Sequence, residues 1–358
     1  MPAEFRIIDT GVREGRSNIA FDAALIELRQ AGEVPDSIRF MSFPPTALIG
    51  RHQDLSREIN LEYCAANGVG TVRRMTGGGA IYLDEGQLGW ELVFHRSALG
   101  VAALPELTKK ICDAAAAGLS KLGVDARFRP RNDIEVDGRK ISGTGGFFDG
   151  DVLIFQGTVL VDLNPENMVN ALNVPENKLA KRELDSAAHR IVTLKQLLDD
   201  EMPDLDTVKQ ALIDGFCESF DITAEWGGIS AAEEDLARQY FDDEIGTEEF
   251  VADIDDPTSQ DSVFSGSHTG PGGTIEAFVK LEGPTRETLQ RALITGDFFV
   301  TPPRVILDLE AHLNGTRLDA LEESLRAFFD ITPIDMLSVA PDDFLAAVSS
   351  AVAAARAE

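Results

Sequence analysis

A β-rich stretch between Asn132 and Leu163 constrains the fold of this 358-residue chain more than any other feature. Two Asp-Gly pairs, Asp137-Gly138 and Asp149-Gly150, divide it into short segments, the last of which is the apolar run Val152 to Val161. Asp-Gly between such segments is a strong hairpin signal. We therefore predict consecutive hairpin strands here, and another half-buried strand at Leu88 to Phe94, where side chains alternate with period two.

Helical patterns flank these strands in the sequence. Apolar residues after Ser17 predict a first helix that runs to about Gln30, and the spacing of Leu and Ile predicts a second from Pro105 to Gly123. Two more are expected at Pro203 to Phe220 and Ala231 to Phe241. The sequence therefore predicts both strands and helices in this part of the chain.

An acidic, turn-rich stretch from Asp253 to Gly273 separates this part from the rest of the chain. Residues 199–256 contain 20 acids and two bases, which accounts for most of the net charge of -29. We predict a large domain over residues 1–250, an acidic, glycine-rich linker over 251–273 and a small α/β domain over 274–358. In that last part we expect a strand at Thr274 to Glu282 and helices at Pro284 to Thr295 and Pro302 to Leu313.

The composition limits the partners of the protein. A strong acid excess repels phosphates, so no nucleic-acid partner is expected. No apolar run approaches the roughly 18 residues of a membrane span, so no membrane association is expected and a cytoplasmic location is predicted. Cys64, Cys112 and Cys217 are an odd, widely spaced set, which predicts buried thiols rather than disulfides or a zinc site.

Two segments have residues suited to chemistry. In Arg73-Arg74-Met75-Thr76-Gly77-Gly78-Gly79 the glycines allow close backbone approach to an anion and the arginines add forked donors, although a plain glycine-rich hairpin has the same pattern. Around Asp137-Gly138 a hairpin projects Asp133 and Lys140 from neighbouring strands. The same residues resemble a calcium loop superficially, but Thr144 stands where a bidentate Glu is required.

A glycine in the apolar strand Gln156-Gly157-Thr158 indicates close approach of a ligand or of another backbone, and a bulge explains it equally well. The motifs of P-loop ATPases, Rossmann dehydrogenases, zincins and serine hydrolases do not occur in the sequence.

Taken in order, several motifs resemble the lipoate-protein ligases. They are Arg73 to Tyr82 (RRMTGGGAIY), Arg131-Asn132-Asp133, Asp137 to Gly143 (DGRKISG) and Gly157 to Leu160 (GTVL), with support from Asn18 to Asp22, Ile49-Gly50-Arg51 and Ser186 to Leu194. The resemblance covers residues 5–200. The C-terminal part, with Gly296-Asp297-Phe298-Phe299, resembles the accessory domain of these ligases.

The resemblance implies an α+β fold, a mixed sheet with flanking helices, which biotin and lipoate ligases share with class II aminoacyl-tRNA synthetase cores. It implies that lipoate and ATP form lipoyl-adenylate and that a lysine of an acceptor protein then takes the lipoyl group. The catalytic residue would be Lys140, with a magnesium ion near Asp133. The implied lipoate- and ATP-binding residues are Arg73, Arg74, Thr76, Gly77, Gly78, Gly79, Asn132, Asp133, Ser142, Gly157 and Thr158.

Two departures from the family concern substrate positioning. Leu83 and Gln156 stand where the family often has His.

Two other hypotheses stay open: an ATP-independent octanoyl or lipoyl transferase, and a catalytically silent binder of lipoylated carriers. The expected acceptor is a lipoyl-domain protein, either a 2-oxo acid dehydrogenase subunit, a glycine-cleavage carrier or a dedicated lipoyl-binding protein. We further expect a positively charged entrance to the site, which attracts ATP and lipoate and consists of Arg73, Arg74, Arg129, Arg131 and Lys140.

Overall fold

The computed structural model describes residues 2–100, 103–173, 189–259 and 261–357. The strands are β1 (Glu4–Val12), β2 (Ser37–Ser42), β3 (Thr46–Ile49), β4 (Gly70–Arg73), β5 (Ile81–Leu83), β6 (Gln87–His95), β7 (Ala126–Arg129), β8 (Asp133–Val136), β9 (Arg139–Asp149), β10 (Val152–Leu160), β11 (Thr223–Trp226), β12 (Phe264–Gly270), β13 (Gly273–Glu282), β14 (Thr288–Gly296), β15 (Phe299–Thr301) and β16 (Asp335–Leu337). The helices are α1 (Gly15–Gln30), α2 (Leu55–Glu58), α3 (Leu61–Asn67), α4 (Leu104–Ser120), α5 (Pro165–Ala171), α6 (Leu194–Leu198), α7 (Leu205–Phe220), α8 (Ala231–Tyr240), α9 (Glu248–Val251), α10 (Val305–Leu313), α11 (Leu321–Ile331) and α12 (Pro341–Ala357).

Residue contacts divide the chain into two compact units. The first comprises Met1–Leu48, Ile59–Arg73 and Ile81–Val251, and the second Ile49–Glu58, Arg74–Ala80 and Ala252–Glu358. The boundary between the two units after Val251 lies next to residue 250, where the large domain was predicted to end. Two short segments from the N-terminal half, one of them the glycine-rich segment, nevertheless belong to the second unit. The predicted division into 1–250, 251–273 and 274–358 stays a prediction about functional modules.

The first unit is built on an eight-stranded mixed sheet of described residues, in the order β11-β1-β2-β6-β10-β9-β8-β7. Strands β11, β1 and β2 pair in parallel, and the pairs from β2 through β7 are antiparallel. The hairpin between β8 and β9 turns at Asp137 and Gly138, which both have positive φ, as two-residue hairpin turns require. This architecture confirms the predicted α+β class.

Helices cover the sheet on both faces. On one face α4 and α7 pack over a core that includes Phe40, Trp90 and Phe155. These two helices approach each other closely at Gly118 and Gly215, where a Cβ atom would meet backbone atoms of the partner helix at 2.5 Å. Helix α1 packs against β6 and β10 through the other face. Because side chains alternate along a strand, neighbouring residues of β10 face different helices.

The second unit has its own core. Antiparallel strands β12, β13 and β14 form a sheet, and α10, α11 and α12 pack with it around apolar residues such as Ile294, Leu309 and Phe344. The stretch predicted as a linker over 251–273 contains β12, which lies so close to α12 that a Cβ at Gly266 would be 2.1 Å from the backbone nitrogen of Ala351.

The helix predicted from Pro284 to Thr295 is wrong, because this segment forms β14. The pairing register shifts between Lys280 and Leu281, so that β14 has an extra residue at this point. That bulge places Leu289 and Ala292 three positions apart on one buried face, which is the spacing of a helix.

Across all described residues, we find no helix whose length and apolarity would allow it to cross a membrane.

Candidate active site

Lys140 and Asp133 form an ion pair in the β8–β9 hairpin. The Nζ atom of Lys140 lies 2.8 Å from Oδ1 of Asp133, and Nη2 of Arg129 lies 2.6 Å from Oδ2 of the same carboxylate. Burial raises the pKa of Asp133, but the charges and hydrogen bonds of Lys140 and Arg129 outweigh it and hold the pKa below its ordinary value. Asp133 is therefore ionised at neutral pH and positions the ammonium.

A bulge in β9 decides where Lys140 points. Glu135 pairs with Lys140 while Ile134 pairs with Ser142, so Ile141 is an extra residue between them. The extra residue brings Lys140 and Gly143 to the same face of the sheet, although an odd spacing of three would separate them in a regular strand. A Cβ atom at Gly143 would lie 2.6 Å from the Nζ of Lys140, so the glycine leaves room for this side chain.

Asn132 anchors the chain just before Asp133. Its Nδ2 donates to the carbonyl of Thr144, and its own carbonyl accepts hydrogen bonds from the amide of Thr144 at 3.0 Å and from its hydroxyl at 2.8 Å. These bonds tie the start of β8 to β9. Asn132 thus holds the hairpin that carries Asp133 and Lys140, and its predicted contact with a phosphate stays a prediction.

Ser142, Gly157 and Thr158 divide between the two faces of the sheet. Ser142 is fully buried opposite Ile134, and its hydroxyl has no hydrogen-bond partner among the described residues. A Cβ atom at Gly157 would lie 2.2 Å from the buried ring of Trp90, so close approach of this ring explains the glycine. Thr158 is half-buried and points to the opposite face, which is the face of Lys140.

The glycine-rich segment belongs to the second unit. The amide of Gly78 donates to the carbonyl of Phe298 at 3.1 Å, and a Cβ atom at Gly77 would lie 2.2 Å from that carbonyl oxygen. Gly78 has a φ of +93° and lies against the ring of Phe299. The close approach to β15 and the positive φ together require glycines at these two positions.

The two arginines of the segment bind backbone carbonyls. Arg74 donates to the carbonyls of Gly77 and Gly79, at 2.7 and 2.9 Å, and at 2.9 Å to the hydroxyl of Thr76. In the first unit, the fully buried Arg73 donates to the carbonyl of Val251 at 2.8 Å. Burial lowers the pKa of Arg74 to about 10. Neither guanidinium is a surface cation in this arrangement, and their predicted contacts with substrate stay predictions.

The three cysteine thiols are not activated. Cys112 is fully buried with its Sγ 3.3 Å from Oγ1 of Thr144, and burial raises its pKa to about 12. Burial also raises the pKa of Cys64 and of Cys217, which is half-buried. A catalytic thiol needs a lowered pKa and access to substrate. The predicted burial is confirmed for Cys64 and Cys112.

The residues around Asp133 do not make a magnesium site by themselves. Both oxygens of this carboxylate already accept hydrogen bonds from cations. The described residues also contain no cluster of three or more His, Cys, Asp or Glu side chains that could hold a metal ion. Asp133 as a magnesium ligand stays a prediction of the sequence.

The sequence reasoning missed a buried polar cluster in the first unit. Its members are Asn18, Asp22, Arg39, Glu91 and Gln156, which hydrogen-bond to one another across α1, β2, β6 and β10. The available signal was the charged residue in the middle of two apolar strands, Arg39 in β2 and Glu91 in β6. Charges at such positions are rarely buried unless they are paired.

Comparison with known proteins places this geometry in a family. The sequence model described as the lipoyl protein ligase A/B catalytic domain matches residues 14–217. The chain is similar to the lipoate-protein ligase LplJ of Bacillus subtilis, at 35% identity over 44% of this chain and 46% of that protein, so it spans about half the length of this relative. It is also similar to the octanoyltransferase LipM of Kyrpidia tusciae, at 29% identity over 66% of this chain and 94% of that protein.

A solved structure agrees with this result. A crystal structure of lipoate-protein ligase A bound with ATP superimposes with a TM-score of 0.62 and 27% identity, over 71% of this chain and all of that one. The shared fold confirms the mixed sheet with flanking helices that the resemblance implied. Because the family match covers more than half of the chain, the protein belongs to the lipoyl protein ligase A/B family, whose relatives here include both ligases and an octanoyltransferase.

Proposed function

We propose that this protein is an ATP-dependent lipoate-protein ligase. It converts lipoate and ATP to lipoyl-adenylate and pyrophosphate, and then transfers the lipoyl group to a lysine of an acceptor lipoyl-domain protein. Support comes from the relatives, which include a lipoate-protein ligase and a ligase structure bound with ATP. The observation that carries the proposal is the ion pair of Lys140 and Asp133, which the bulge in β9 sets over Gly143.

In the first step a carboxylate oxygen of lipoate attacks the α-phosphorus of ATP, and pyrophosphate leaves. Both reacting groups are anions, so the step requires fixed positive charge where they meet. The ammonium of Lys140 supplies that charge between the acyl carboxylate and the phosphate. Asp133 holds it in place, with Arg129 on the other oxygen of the carboxylate. Such preorganisation avoids the cost of orienting a flexible lysine during the reaction.

In the second step the neutral amine of the acceptor lysine attacks the acyl carbonyl, the bond from the acyl carbon to the phosphate oxygen breaks to release AMP, and the nitrogen loses one proton to solvent. The same ammonium of Lys140 stabilises the negative charge that develops on the oxygens of the mixed anhydride. A magnesium ion bound with ATP would supply positive charge for the leaving pyrophosphate.

The second candidate is an octanoyltransferase, which the LipM relative brings forward. A transferase that forms an acyl-cysteine needs an accessible thiolate. The raised pKa values of Cys64, Cys112 and Cys217 weigh against that chemistry. The ligase proposal therefore has the better support from the residues of this chain.

The test measures the exchange of label between pyrophosphate and ATP that depends on added lipoate. We expect the wild-type chain to catalyse this exchange. The variant Lys140→Ala should retain its fold, and its exchange rate should be lower by about 100-fold or more. Lys195→Ala is the matched control because Lys195 also pairs with an aspartate, Asp162, but on an exposed surface. Unchanged exchange in Lys140→Ala contradicts the assignment of Lys140.

Mass spectrometry of an acceptor lipoyl domain separates the two candidates. Free lipoate with ATP should add one lipoyl group to the domain, and omission of ATP should abolish the product. Transfer from an octanoyl-carrier thioester without ATP would favour the transferase instead.

A further inference from the structure

The motif Gly296-Asp297-Phe298-Phe299 has no part in the reaction as proposed, and in the second unit it lies against the glycine-rich segment. Phe298 is fully buried. Its ring stacks on the ring of His52, with centroids 5.1 Å apart, and meets the ring of Phe344 edge to face at 5.2 Å. Close packing of this kind fixes the backbone of Phe298 in the core of the unit.

The peptide group between Gly77 and Gly78 is held at both of its ends. Its N–H, that of Gly78, donates to the carbonyl of Phe298 at 3.1 Å. Its oxygen, that of Gly77, accepts a hydrogen bond from Nη2 of Arg74 at 2.7 Å. Because a peptide group is planar, two bonds in opposite directions determine its orientation. Phe298 and Arg74 therefore fix this peptide between them.

The two neighbouring carbonyls point to one segment of the chain. That of Thr76 accepts a hydrogen bond from the amide of Arg51 at 2.9 Å. That of Gly78 faces Gly50, where a Cβ atom would lie 2.0 Å from the carbonyl oxygen and 3.1 Å from the carbonyl carbon. The oxygen is the nearer atom, so this carbonyl also points at its neighbour. Both carbonyls therefore face the segment Gly50-Arg51.

The amides of Gly77 and Gly79 face the opposite side. In a trans peptide the N–H points away from the carbonyl of the preceding residue, and here those carbonyls belong to Thr76 and Gly78. Neither amide donates a hydrogen bond to any residue that the structure describes. Gly77 is buried and Gly79 is half-buried. An amide shielded from water is costly without an acceptor, so this pair suits an anionic oxygen of a ligand.

We propose that Phe298 is a positioning residue for the ligase reaction. By holding the amide of Gly78, it turns the amides of Gly77 and Gly79 together toward an anionic group of a substrate, either the carboxylate of lipoate or a phosphate of ATP. This inference rests on the proposed function, in which both substrates are anions. Phe298 acts through the glycine-rich segment and not on the substrate.

A substitution cannot remove the backbone carbonyl of Phe298, but it can loosen the residue that carries it. Phe298→Leu keeps an apolar side chain in the core and removes the stacking on His52. The amide of Gly78 then loses an acceptor of fixed position. Phe329→Leu is the matched control, because Phe329 is a buried phenylalanine of the same core that packs on Phe344 from α11.

The first measurement is hydrogen exchange of the full chain, read by mass spectrometry on the peptide that contains residues 74–80. In Phe298→Leu this peptide should exchange about five-fold faster or more than in wild type, because the amide of Gly78 loses its acceptor. In Phe329→Leu it should exchange as in wild type. The same exchange of this peptide in both variants, at either rate, overturns the inference.

The second measurement is lipoate-dependent exchange of label between pyrophosphate and ATP by the same three proteins. We expect Phe298→Leu to raise the KM for one of the two substrates about ten-fold, because misplacement of a binding group by about 1 Å has effects of this size. The substrate whose KM rises is the one that the two amides bind. Unchanged KM values in the folded variant, or equal changes in Phe329→Leu, overturn the inference.

Two further experiments keep the test decisive. Should Phe298→Leu not fold, Phe298→Met fills nearly the same volume and replaces it in both measurements. No lipoate-dependent exchange in wild type would refute the proposed function. Calorimetric titration with lipoate, and separately with ATP, then decides on Phe298. Weaker binding of one of them by Phe298→Leu than by Phe329→Leu supports its role, whereas equal binding, or no binding of either by wild type, overturns it.

Discussion

The ammonium of Lys140 lies 2.8 Å from Oδ1 of Asp133, and a bulge in β9 creates this relationship. Without the extra residue Ile141, Lys140 would point to the face that α4 covers, into the apolar core. Bulges often redirect side chains next to active sites. The proposed chemistry of the first unit therefore depends on one irregular position in an otherwise regular hairpin.

Asp133→Asn should weaken catalysis without unfolding the protein. The variant removes the charge that holds Lys140, so we expect lipoate-dependent exchange to fall about ten-fold or more. Asp137→Asn is the control, because Asp137 lies at the exposed turn of the same hairpin and Asn also accepts its positive φ. A rate equal to that of the control would show that Asp133 does not position the lysine.

Gly143→Ala should affect Lys140 directly. The new methyl group would lie 2.6 Å from Nζ and 2.7 Å from Cε of Lys140, and the flexible end of that side chain has to move. We expect a loss of exchange of about ten-fold or more at nearly unchanged stability, since misplacement of about 1 Å has such effects. Gly228→Ala, where no atom lies within 4 Å of the added methyl group, should behave like wild type.

Gly157→Ala should destabilise the fold. Its methyl group would lie 2.2 Å from Cζ2 of Trp90, whose ring is fully buried in the core. Overpacking of this kind costs about 1–3 kcal/mol. Chemical denaturation should show the loss, whereas Gly79→Ala, with its nearest contact at 3.8 Å, should stay close to wild type. Equal stability of the two variants would mean that the sheet adjusts around Gly157.

Cys112→Ala should retain acyl transfer to a lipoyl domain. The thiol is buried and its pKa is raised to about 12, so it contributes to the core rather than to the chemistry. Stability should fall by about 1 kcal/mol from the small cavity and the lost contact with Thr144. Mass spectrometry of the acceptor is the measurement, and loss of the product in a folded variant would point to the transferase mechanism.

The second unit should lose stability as the pH rises toward 8. Burial, together with the charges of Asp297 and Glu276, raises the pKa of Glu58 from 4.5 to about 7, and burial raises that of Glu310 to about 7 as well. Each group binds its proton more tightly in the folded chain, so its contribution is complete below pH 4.5 and is lost as the pH passes 7.

Thermal unfolding at pH 5.5 and pH 8 is the measurement. Between these pH values the free energy of unfolding of wild type should fall. In the double variant Glu58→Gln, Glu310→Gln the fall should be smaller by about 1 kcal/mol per substituted group, after allowance for solvent screening. Glu323→Gln, on the exposed side of α11, is the control. The same pH dependence in all three proteins would contradict this explanation.

Local signals in the sequence predicted the elements that depend on neighbours along the chain. The Asp137-Gly138 turn, the β10 strand and the helices α4 and α7 follow from turn chemistry and periodicity, and all are present. The same reasoning failed at β14, because a bulge set by pairing with β13 imitates helical spacing. The segment Ser186 to Leu194, which the resemblance included, lies partly outside the described residues.

By itself the sequence determined the α+β class, the hairpin of Asp133 and Lys140 and the family resemblance, because motifs and alternation are local properties of the chain. Only the tertiary structure decided which side chains meet. In the structure Lys140 forms an ion pair with Asp133 over Gly143. Arg73 and Arg74 donate hydrogen bonds to backbone carbonyls. Four separate elements contribute the hydrogen-bonded residues Arg39, Asp22, Glu91 and Gln156. Strand register and burial determine such contacts, and both arise from pairings between segments that are far apart in the sequence.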